Sequence, residues 1–277
     1  MVSVKTKILG IIGYPIEHSL SPLMHNSVID KMGLKYVYLP FEVKPADLKS
    51  AVDSIKALNI AGINVTIPHK EKVIKYLCSV SEEAEQIGAV NTIVNKNGCL
   101  TGYNTDYYGF LRSVTEKTNV KNKIALMLGC GGVSKAIAFA LFKAGIKKLI
   151  VSDIDTKKMK NFLNLKLPIS KIKSVKIDNI SETFKEIDIF INATPIGMKE
   201  NDSSPVDKKL LNKNIFIYDV IYNRKTRLLN DAEVVGAAFS GGLDMLVYQG
   251  AKSFELWTGI KPPVELMKKV LVMSKIL

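Results

Sequence analysis

The segment KIALMLGCGGVSKA, residues 123–136, decides the fold class of this chain. Its apolar run over 124–128 predicts a strand that is buried on both faces. The run leads directly into a turn with Gly129, Gly131 and Gly132, and a helical pattern of apolar residues follows. A strand, a glycine-rich turn and a helix in this order predict one unit of a doubly wound α/β sheet.

On the C-terminal side, apolar β-branched segments alternate with amphipathic ones. They predict strands at 149–153, 174–177, 187–193, 215–220 and 234–239. Buried strands separated by helices pair in parallel, so we expect a Rossmann-like, doubly wound, dinucleotide-binding domain over residues 106–242. In the last segment, from Met245, apolar residues recur at helical spacing on both sides of residues 259–263. It predicts two helices that return to the first domain.

The N-terminal part of the chain also has alternating strand and helix patterns, as in βαβ units. It predicts strands at 7–13, 36–42 and 61–66, with helices that begin at Ser21 and Pro45. Two further strands, at 91–95 and 100–103, flank the turn at 96–98 and predict a hairpin. We therefore expect a mixed-sheet α/β domain, built from residues 1–105 and 243–277.

The 277 residues include 39 Lys and Arg against 26 Asp and Glu, a formal net charge of +13. The lysines are scattered and no aromatic platform is interleaved with them, so we expect no nucleic-acid partner. No stretch of the sequence approaches the roughly 18 to 20 apolar residues that would span a bilayer, so we expect no membrane partner. The positive field would attract small anionic substrates and dinucleotide phosphates.

Three cysteines, Cys78, Cys99 and Cys130, lie far apart in the sequence. They form no CxxC or Cys/His spacing, so the sequence predicts neither a disulfide framework nor a metal site. The apolar run at 8–13 is too short for a signal peptide and ends in Tyr-Pro without a cleavage pattern, so we expect a buried strand there. A reducing, cytoplasmic location fits these features.

The turn at 129–132 supplies what a dinucleotide pyrophosphate requires, which is close backbone approach and a helix N-terminus. Ser134 stands where the GxGxxG pattern has its third glycine, so the motif is imperfect. A glycine-rich turn without a ligand is therefore the alternative. Asp153 argues against it, because it ends the next strand about twenty residues on, where a ribose-binding carboxylate is expected.

Polar segments interrupt the first domain where purely structural strands would have apolar or turn residues. They are HSLSP at 18–22, NVTIPHK at 64–70, GAVNT at 88–92 and NTD at 104–106. Each residue alone has an ordinary structural explanation, such as a helix cap for Ser21 or a solvated charge for Lys70. Taken together, the segments predict a polar binding site, with a helix that begins near Lys70.

These segments resemble those of shikimate dehydrogenases and the related quinate/shikimate enzymes in order and spacing. The other matching segments are GCGGVSKA at 129–136, NATPIGM at 192–198, YDVIY at 218–222 and GLDMLVYQGAKSFELWTG at 242–259. The resemblance implies an NADP- or NAD-dependent oxidoreductase of aromatic amino acid biosynthesis that interconverts 3-dehydroshikimate and shikimate without a metal. Quinate is a second candidate substrate, and the enzyme would be a monomer or a homodimer.

The resemblance also implies roles for individual residues. The substrate-binding residues would be Ser19, Ser21, Asn64, Thr66, Lys70, Asn91, Asp106, Tyr222 and Gln249. Lys70 and Asp106 would be the catalytic pair that handles the proton. The cofactor-binding residues would be Gly129, Cys130, Gly131, Gly132, Val133, Asp153, Thr194, Val220 and Gly242. Donors and acceptors on every side are what a buried polyol demands.

Two positions depart from the family pattern. Tyr107 stands where the family usually has glycine, so we expect a different loop path that reshapes the mouth of the site. Residues 152–156, which include Asp153, stand where the family usually has an Asn-Arg-Thr type segment that holds the 2′-phosphate of NADP. The Asp153 carboxylate accepts well from ribose hydroxyls and repels a phosphate, so it favours NAD over the family default, NADP, unless Lys157 or Lys158 reaches the phosphate.

Other interpretations remain open at this point. His25 and His69 suggest a histidine-based mechanism, whereas the resemblance assigns proton handling to the lysine and aspartate. The rival functions are a quinate-preferring NAD-dependent dehydrogenase, a dehydrogenase of methylene-tetrahydrofolate or amino acids, and a non-catalytic dinucleotide-binding regulator. The paired serines and Gln249 argue against a dehydrogenase of methylene-tetrahydrofolate or amino acids. Retention of Lys70 and Asp106 argues against a non-catalytic regulator.

Overall fold

A computed structural model describes residues 3–165 and 167–274. The chain divides into two compact units, which we call the first unit (Met1–Thr105 with Val247–Leu277) and the second unit (Asp106–Leu246). The sequence prediction placed the second boundary at residue 243 instead. Met245, just after that position, is buried in the core of the second unit.

The first unit contains a mixed sheet, sheet A. Its strands are β1 (Lys7–Gly13), β2 (Tyr36–Glu42), β3 (Gly62–Val65), β4 (Ser79–Val80), β5 (Thr92–Lys96) and β6 (Cys99–Tyr103), in the order β2-β1-β3-β5-β6-β4. Strand β1 pairs in parallel with β2 and β3, and β5 runs antiparallel to β3 and β6. The β5–β6 hairpin turns at Asn97 and Gly98, both at positive φ, where these residue types are favoured.

Three helices follow from local signals in the first part of this unit. They are α1 (Ser21–Lys31), α2 (Leu48–Ala57) and α3 (Glu82–Ile87). Pro22 lies in the first turn of α1, and a short 3-10 turn at Pro45–Asp47 precedes α2. Ser81 caps α3 by accepting a hydrogen bond from the Ala84 backbone. The buried faces of α2 and sheet A share one apolar core.

The second unit contains a parallel sheet, sheet B. Its strands are β7 (Ile124–Leu128), β8 (Lys148–Ser152), β9 (Ile172–Ser174), β10 (Ile189–Asn192), β11 (Phe216–Asp219) and β12 (Phe239–Gly241), in the order β12-β11-β10-β7-β8-β9. The chain order reverses between β7 and β10, which is the position where open α/β sheets bind ligands beyond their carboxyl ends. The predicted doubly wound, Rossmann-like sheet is confirmed.

The helices of the second unit connect these strands. They are α4 (Asp106–Thr115), α5 (Gly132–Lys143), α6 (Thr156–Leu163), α7 (Ile180–Thr183) and α8 (Arg227–Val234). The predicted strand at 234–239 is wrong, because Val234 ends α8 and Gly236 turns the chain at positive φ before β12. Thr226 starts α8 by capping it, and the helical spacing of Leu228, Leu229 and Ala232 buries one face.

The C-terminal segment forms the two predicted helices, α9 (Leu243–Thr258) and α10 (Val264–Met273). Helix α10 packs against α1 in the first unit. Trp257 of α9 anchors this helix to sheet A, because its indole nitrogen donates to the Ile93 carbonyl at 2.9 Å. Gly62 leaves room for the indole, since a Cβ there would overlap the ring. Among the described residues, none of the helices is both long and apolar enough to traverse a bilayer.

Candidate functional site

The HSLSP segment lies between β1 and α1 and carries Ser19 and Ser21. Ser21 is the first residue of α1, and its backbone donates to Ser19 Oγ at 3.4 Å. No side chain caps this helix, so the capping explanation for Ser21 does not hold. The Ser21 side chain is instead buried near Tyr38 of β2; burial raises the pKa of Tyr38 well above the usual value, and Ser21 acts in the opposite direction.

Asn64 of β3 is 5% exposed, and its amide makes hydrogen bonds at both ends. Tyr38 donates its hydroxyl to Asn64 Oδ1 at 2.7 Å. Asn64 Nδ2 approaches three acceptors, the Asn91 carbonyl at 3.0 Å, Thr92 Oγ1 at 3.1 Å and Ser253 Oγ at 3.2 Å. Because an amide has two hydrogens to donate, those of Asn64 are committed to neighbouring protein groups.

Asn91 and Thr105 extend this connection to helix α9. Asn91 Oδ1 accepts from the Thr105 backbone at 2.7 Å, and Asn91 Nδ2 donates to Gln249 Oε1 at 3.4 Å. Ser253 lies one helical turn after Gln249, and its Oγ lies 2.8 Å from Thr92 Oγ1 and 3.0 Å from Thr105 Oγ1. The result is a buried polar network of the first unit, formed by Ser21, Tyr38, Asn64, Asn91, Thr92, Thr105, Gln249 and Ser253.

Thr66 and Lys70 follow strand β3. The Thr66 backbone donates to the Ile12 carbonyl of β1 at 2.9 Å, and the Lys70 carbonyl accepts from Val90 at 2.8 Å. Both side chains are half-buried. Lys70 lies in a turn, and the element after it is a five-residue 3-10 helix, Lys72–Tyr76, rather than the predicted α-helix. A helix this short has little dipole to act on the Lys70 ammonium.

The two histidines near these residues are packing residues. His69 is fully buried, and its Nε2 donates to the Val43 carbonyl at 2.7 Å. His25 is also fully buried, and it stacks on Tyr38 with ring centroids 4.4 Å apart. Burial lowers the pKa of His25 to about 3, so this imidazole stays neutral at physiological pH. Both imidazoles are shielded from solvent.

Asp106 is the first residue of α4 and is 6% exposed. It directly follows Thr105 in the chain. The next residue, Tyr107, packs its ring edge-on against Phe139 of α5 at 5.1 Å, and Lys143 Nζ lies 5.2 Å from the ring centroid. The bulky side chain that departs from the family pattern is therefore accommodated within the core of the second unit.

The glycine-rich turn after β7 has the geometry that a phosphate group requires. Gly129 has φ 98°, and a Cβ there would lie 2.7 Å from the Ala193 carbonyl oxygen, so glycine is required. A Cβ on Gly131 or Gly132 would meet nothing within 4 Å. Open space above the N-terminus of the 12-residue helix α5 fits a dinucleotide pyrophosphate. Ser134, in place of the third glycine, is fully buried and small enough to pack there.

Three of the predicted cofactor-binding residues adjoin this turn. Val133 packs on the apolar core, and Cys130 is buried. Asp153, just after β8, accepts from the Cys130 backbone at 2.7 Å and from the Asp155 backbone at 2.8 Å. Burial, followed by the charge of Asp153, raises the pKa of Cys130 to about 12, and Lys158 acts on it in the opposite direction.

Thr194 lies beyond the carboxyl end of β10 and is held by Asn192. Asn192 Oδ1 accepts from the Thr194 backbone at 3.1 Å and from Thr194 Oγ1 at 2.6 Å. Asn192 Nδ2 donates to Asp219 Oδ1 at 3.0 Å. The Val220 backbone donates to the Asn192 carbonyl, also at 3.0 Å. The ends of β10 and β11 are thus joined through one asparagine.

Asp219 completes the second-unit cluster, which we define as Asn192, Asp219 and Thr226. Thr226 donates its hydroxyl to Asp219 Oδ2 at 2.6 Å, and the Ile221 backbone donates to Asp219 Oδ1 at 3.1 Å. Burial raises the pKa of Asp219. Gly242 donates to the Ile221 carbonyl at 3.1 Å, and a Cβ there would overlap the Val220 carbonyl. Burial also raises the pKa of Tyr222 in the same loop.

The structure brings the predicted residues into groups within each unit. In the first unit Ser19, Ser21, Asn64, Asn91 and Gln249 belong to or adjoin the polar network, and Thr66 and Lys70 follow the same sheet. In the second unit the turn and Asp153 form one group, and Thr194, Val220 and Gly242 another.

The sequence analysis did not identify Ser253 and Thr92 as members of the polar network, or Asn192 and Asp219 as members of the second-unit cluster. The available signal for Ser253 was its spacing of one helical turn from Gln249. For Asn192 and Asp219 the signal was a polar residue at the end of an otherwise apolar strand.

Comparison with protein families gives three consecutive matches along the chain. Residues 11–93 match the model described as the shikimate dehydrogenase substrate binding domain. Residues 112–221 match shikimate/quinate 5-dehydrogenase, and residues 242–272 match the shikimate 5′-dehydrogenase C-terminal domain. The matches therefore include segments from both units.

Individual proteins are similar over nearly the whole chain. Shikimate dehydrogenase (NADP(+)) of Caldanaerobacter subterraneus subsp. tengcongensis is 47% identical over 92% of each chain. The crystal structure of shikimate dehydrogenase from Aquifex aeolicus has a TM-score of 0.92 at 38% identity, over 98% of this chain and 99% of that one. Shikimate 5-dehydrogenase from Listeria monocytogenes, solved with shikimate and NAD, has a TM-score of 0.89 at 36% identity, over 98% of each.

Proposed function

The chain belongs to the shikimate dehydrogenase family, and we propose that it catalyses the reversible reduction of 3-dehydroshikimate to shikimate with a nicotinamide dinucleotide. The buried polar network of the first unit carries this proposal. Side-chain to side-chain hydrogen bonds are a small share of those in an ordinary protein, yet here they join three strands and a helix. Such a network is suited to hold amide and hydroxyl groups in place for a polyol substrate.

Ser19 and Ser21 are the proposed ligands of the substrate carboxylate. Their hydroxyls can donate to a carboxylate without bringing a charge of their own. The 3.4 Å contact between the Ser21 backbone and Ser19 Oγ holds the two residues together on one short loop. Proximity of two hydroxyls gives two charge-assisted hydrogen bonds to one carboxylate, which are stronger than neutral ones.

The ring hydroxyls are assigned to Thr66, Asn91, Asp106, Gln249 and Tyr222. Asn91 and Gln249 are oriented by the network, which fixes their amides before a substrate arrives. Asn64 has a different part in the proposal. Because its amide hydrogens are already committed to Asn91, Thr92 and Ser253, it positions the neighbouring amide rather than donating to the substrate.

Lys70 and Asp106 are the proposed catalytic pair. When the alcohol is oxidised, a hydride and a proton must leave the carbinol, and the dinucleotide takes the hydride when it is bound. Lys70 Nζ, as the neutral amine, would accept the hydroxyl proton and, as the ammonium, return it in the reverse direction. Asp106 would accept from a ring hydroxyl and orient the lysine. The hydrogen bond from Val90 to the Lys70 carbonyl fixes the backbone from which this side chain extends.

The proposed cofactor is NADP, with NAD as the alternative that Asp153 favours. The relative from Caldanaerobacter is named for NADP(+), whereas the Listeria enzyme was solved with NAD. The Asp153 carboxylate accepts hydrogen bonds from the backbones of Cys130 and Asp155, so much of its capacity to accept hydrogen bonds is used within this chain. Lys157 and Lys158, exposed in the first turn of α6, supply the positive charge that a 2′-phosphate needs.

The test is an absorbance trace at the reduced-nicotinamide band, with the purified chain, shikimate, and NADP or NAD in turn. Shikimate-dependent reduction of at least one cofactor is expected. Quinate in place of shikimate measures whether the second candidate substrate is used. A chain with a normal circular dichroism spectrum that reduces neither cofactor with either acid would overturn the proposal in favour of a dinucleotide-binding regulator.

Location and assembly complete the proposal. Cys78 and Cys99 are exposed free thiols, which persist in a reducing compartment, so we propose a cytoplasmic enzyme. We propose a monomer or a homodimer, because closed two-fold pairs are the commonest assembly of such enzymes. Cell fractionation and analytical ultracentrifugation are the respective measurements. A membrane or secreted fraction, or a larger assembly, would contradict these two statements.

A further inference from the structure

Strands β4 and β6 bring together two cysteines that are far apart in the sequence. Cys78 lies immediately before β4, and Cys99 is the first residue of β6. The Cys78 backbone donates to the Leu100 carbonyl at 2.9 Å, and the Leu100 backbone donates to Cys78 Sγ at 3.2 Å. Because the Leu100 nitrogen is bonded to the carbonyl carbon of Cys99, the Cys78 sulfur lies beside the Cys99 residue.

The parallel pairing of the two strands fixes this arrangement. Ser79 is opposite Thr101 and Val80 is opposite Gly102, and just before these pairs the Cys78 backbone is bonded to Leu100. The hydroxyls of Ser79 and Thr101 lie 3.0 Å apart. A disulfide requires two cysteines that lie close together, and the contact with the Leu100 nitrogen places the Cys78 sulfur next to the Cys99 carbonyl group.

The two thiols interact and differ in acidity. Interaction with the Cys99 thiol, followed by the hydrogen bond from the Leu100 backbone, lowers the pKa of Cys78. The same interaction raises the pKa of Cys99. Lys56 adds a positive charge that favours both thiolates. Both cysteines are exposed, so Cys78 is an accessible nucleophile with a second thiol beside it.

Cys130 provides the contrast within the same chain. It is buried, and burial raises its pKa to about 12. A thiol in such surroundings is protonated at neutral pH and inaccessible to a reagent in solution. Any reaction specific to the neighbouring pair can therefore be measured against an internal cysteine that does not react while the chain is folded.

We propose that Cys78 and Cys99 form a dithiol modification site that exchanges with low-molecular-weight disulfides and closes a reversible disulfide at the edge of sheet A. The Cys78 thiolate attacks one sulfur of the reagent, so a mixed disulfide forms and a thiolate leaves to take a proton from water. Cys99 then loses its proton to water and attacks the Cys78 sulfur, releasing the second reagent thiol. In balance, two protein thiols are oxidised and one reagent disulfide is reduced to two thiols.

The location gives the bond a mechanical consequence. Strand β4 has two residues and lies at the edge of sheet A beside β6. A short edge strand opens readily, since few hydrogen bonds hold it. The disulfide would hold β4 against β6, the strand that continues to Asn104 and Thr105. This site is independent of the proposed dehydrogenase activity.

The experiment uses the full chain, reduced and then incubated under native conditions with oxidised glutathione. The reaction is quenched in acid, and the remaining thiols are alkylated after denaturation. We expect alkylation to fall from three cysteines to one, with an intact mass lower by two hydrogens before alkylation and a peptide map that links Cys78 to Cys99. Dithiothreitol should restore all three thiols. In the oxidised chain, hydrogen exchange at Ser79 and Val80 should slow.

Variants distinguish the roles of the two sulfurs. In Cys99→Ser the mixed disulfide with glutathione should persist on Cys78, because no second thiol releases it. In Cys78→Ser, glutathione should add to Cys99 more slowly than to Cys78 in the Cys99→Ser variant. The matched control Cys130→Ser should oxidise as the unmodified chain does. Persistent glutathione on each exposed cysteine without an internal link, or thiols that remain fully reduced, would overturn the proposal.

Discussion

The polar network of the first unit and the glycine-rich turn of the second unit hold their candidate binding residues by different means. In the first unit side chains are bonded to side chains, as Asn64 is to Ser253 and Asn91 is to Thr105. In the second unit the turn after β7 offers backbone groups, and the carboxylate of Asp153 serves the backbone of Cys130 and Asp155. The first arrangement depends on the identity of each side chain, whereas the second depends on the path of the main chain.

This difference predicts where single substitutions act. Removing one atom from a fully buried side-chain network leaves its partners unsatisfied, which is costly at low dielectric. A backbone turn keeps its hydrogen bonds when a side chain is shortened, and it is disturbed mainly by a Cβ where glycine is required, as at Gly129. The predictions below test this contrast from the largest expected effect to the smallest.

Lys70→Ala should lower kcat by about 10² to 10⁴ while the affinity for shikimate changes little, since proton transfer by a positioned side chain has this magnitude. Steady-state kinetics with shikimate and isothermal titration provide the measurements. The control is Lys72→Ala, which removes an exposed lysine from the adjacent 3-10 helix and should leave kcat unchanged. A Lys70→Ala enzyme that keeps half of its activity would remove Lys70 from the mechanism.

Asp106→Asn should weaken shikimate binding and also reduce kcat, because the carboxylate is assigned both a ring hydroxyl and the lysine. Loss of a hydrogen bond to a charged group costs about 1.5 to 3 kcal/mol, which is at least tenfold in affinity. Titration calorimetry gives the affinity and steady-state kinetics the rate. Unchanged values for both would show that the position of Asp106 at the start of α4 does not serve the substrate.

Ser253→Ala should raise the KM for shikimate more than it lowers kcat, because Thr92 and Thr105 lose a shared partner and the Asn91 amide is less firmly held. The stability cost should be about 1 to 3 kcal/mol. Ser113→Ala is the matched control, since Ser113 is a fully buried helical serine in the second unit, bonded to Tyr218 at 2.6 Å. It should lose similar stability in urea without a change in the KM for shikimate. Equal effects of Ser253→Ala and Ser113→Ala on the KM for shikimate would contradict the special role of the first-unit network.

Asp153→Asn tests the cofactor preference through the ratio of kcat/KM with NADP to that with NAD. Removing a charge near a 2′-phosphate should raise this ratio, by at most about 4 kcal/mol at short range before solvent reduces it. Lys158→Ala should lower the ratio. A preference of about tenfold or more for NADP that Asp153→Asn leaves unchanged would show that Asp153 serves the backbone of Cys130 and Asp155 alone and that the lysines decide the cofactor.

Asp219→Asn tests the side-chain cluster of the second unit through pH. Burial raises the pKa of Asp219 above the usual 3.8, so the folded chain binds this proton more tightly than the unfolded chain does. The stabilisation by the neutral carboxyl is complete below the unfolded pKa and is lost as pH rises through the folded pKa. Urea unfolding between these values should show a decline with rising pH that is absent in Asp219→Asn. If the stability of the unmodified chain and that of Asp219→Asn change with pH in the same way, the raised pKa is wrongly assigned to Asp219.

Much of the fold was predictable because local patterns dictate local structure. The apolar run before Gly129 made β7 a buried strand, and the spacing of turn residues identified the β5–β6 hairpin. The strand expected at 234–239 failed because Val234 continues the helical face of α8, and short apolar runs do not distinguish a helix end from a strand. Motifs that resemble those of a known family identified the candidate residues, whereas the contacts of these residues could not be predicted from the sequence.

The sequence by itself determined the two α/β units, the glycine-rich turn and the polar segments, since these depend on periodicity and on residue types that only certain backbone conformations accept. Tertiary structure alone decided that Cys78 lies beside Cys99, that Ser253 joins Thr92 to Thr105, and that the ring of Tyr107 packs on α5. Such contacts depend on the order and register of strands and on helix packing. Those are set by the burial of whole surfaces, and no local pattern encodes them.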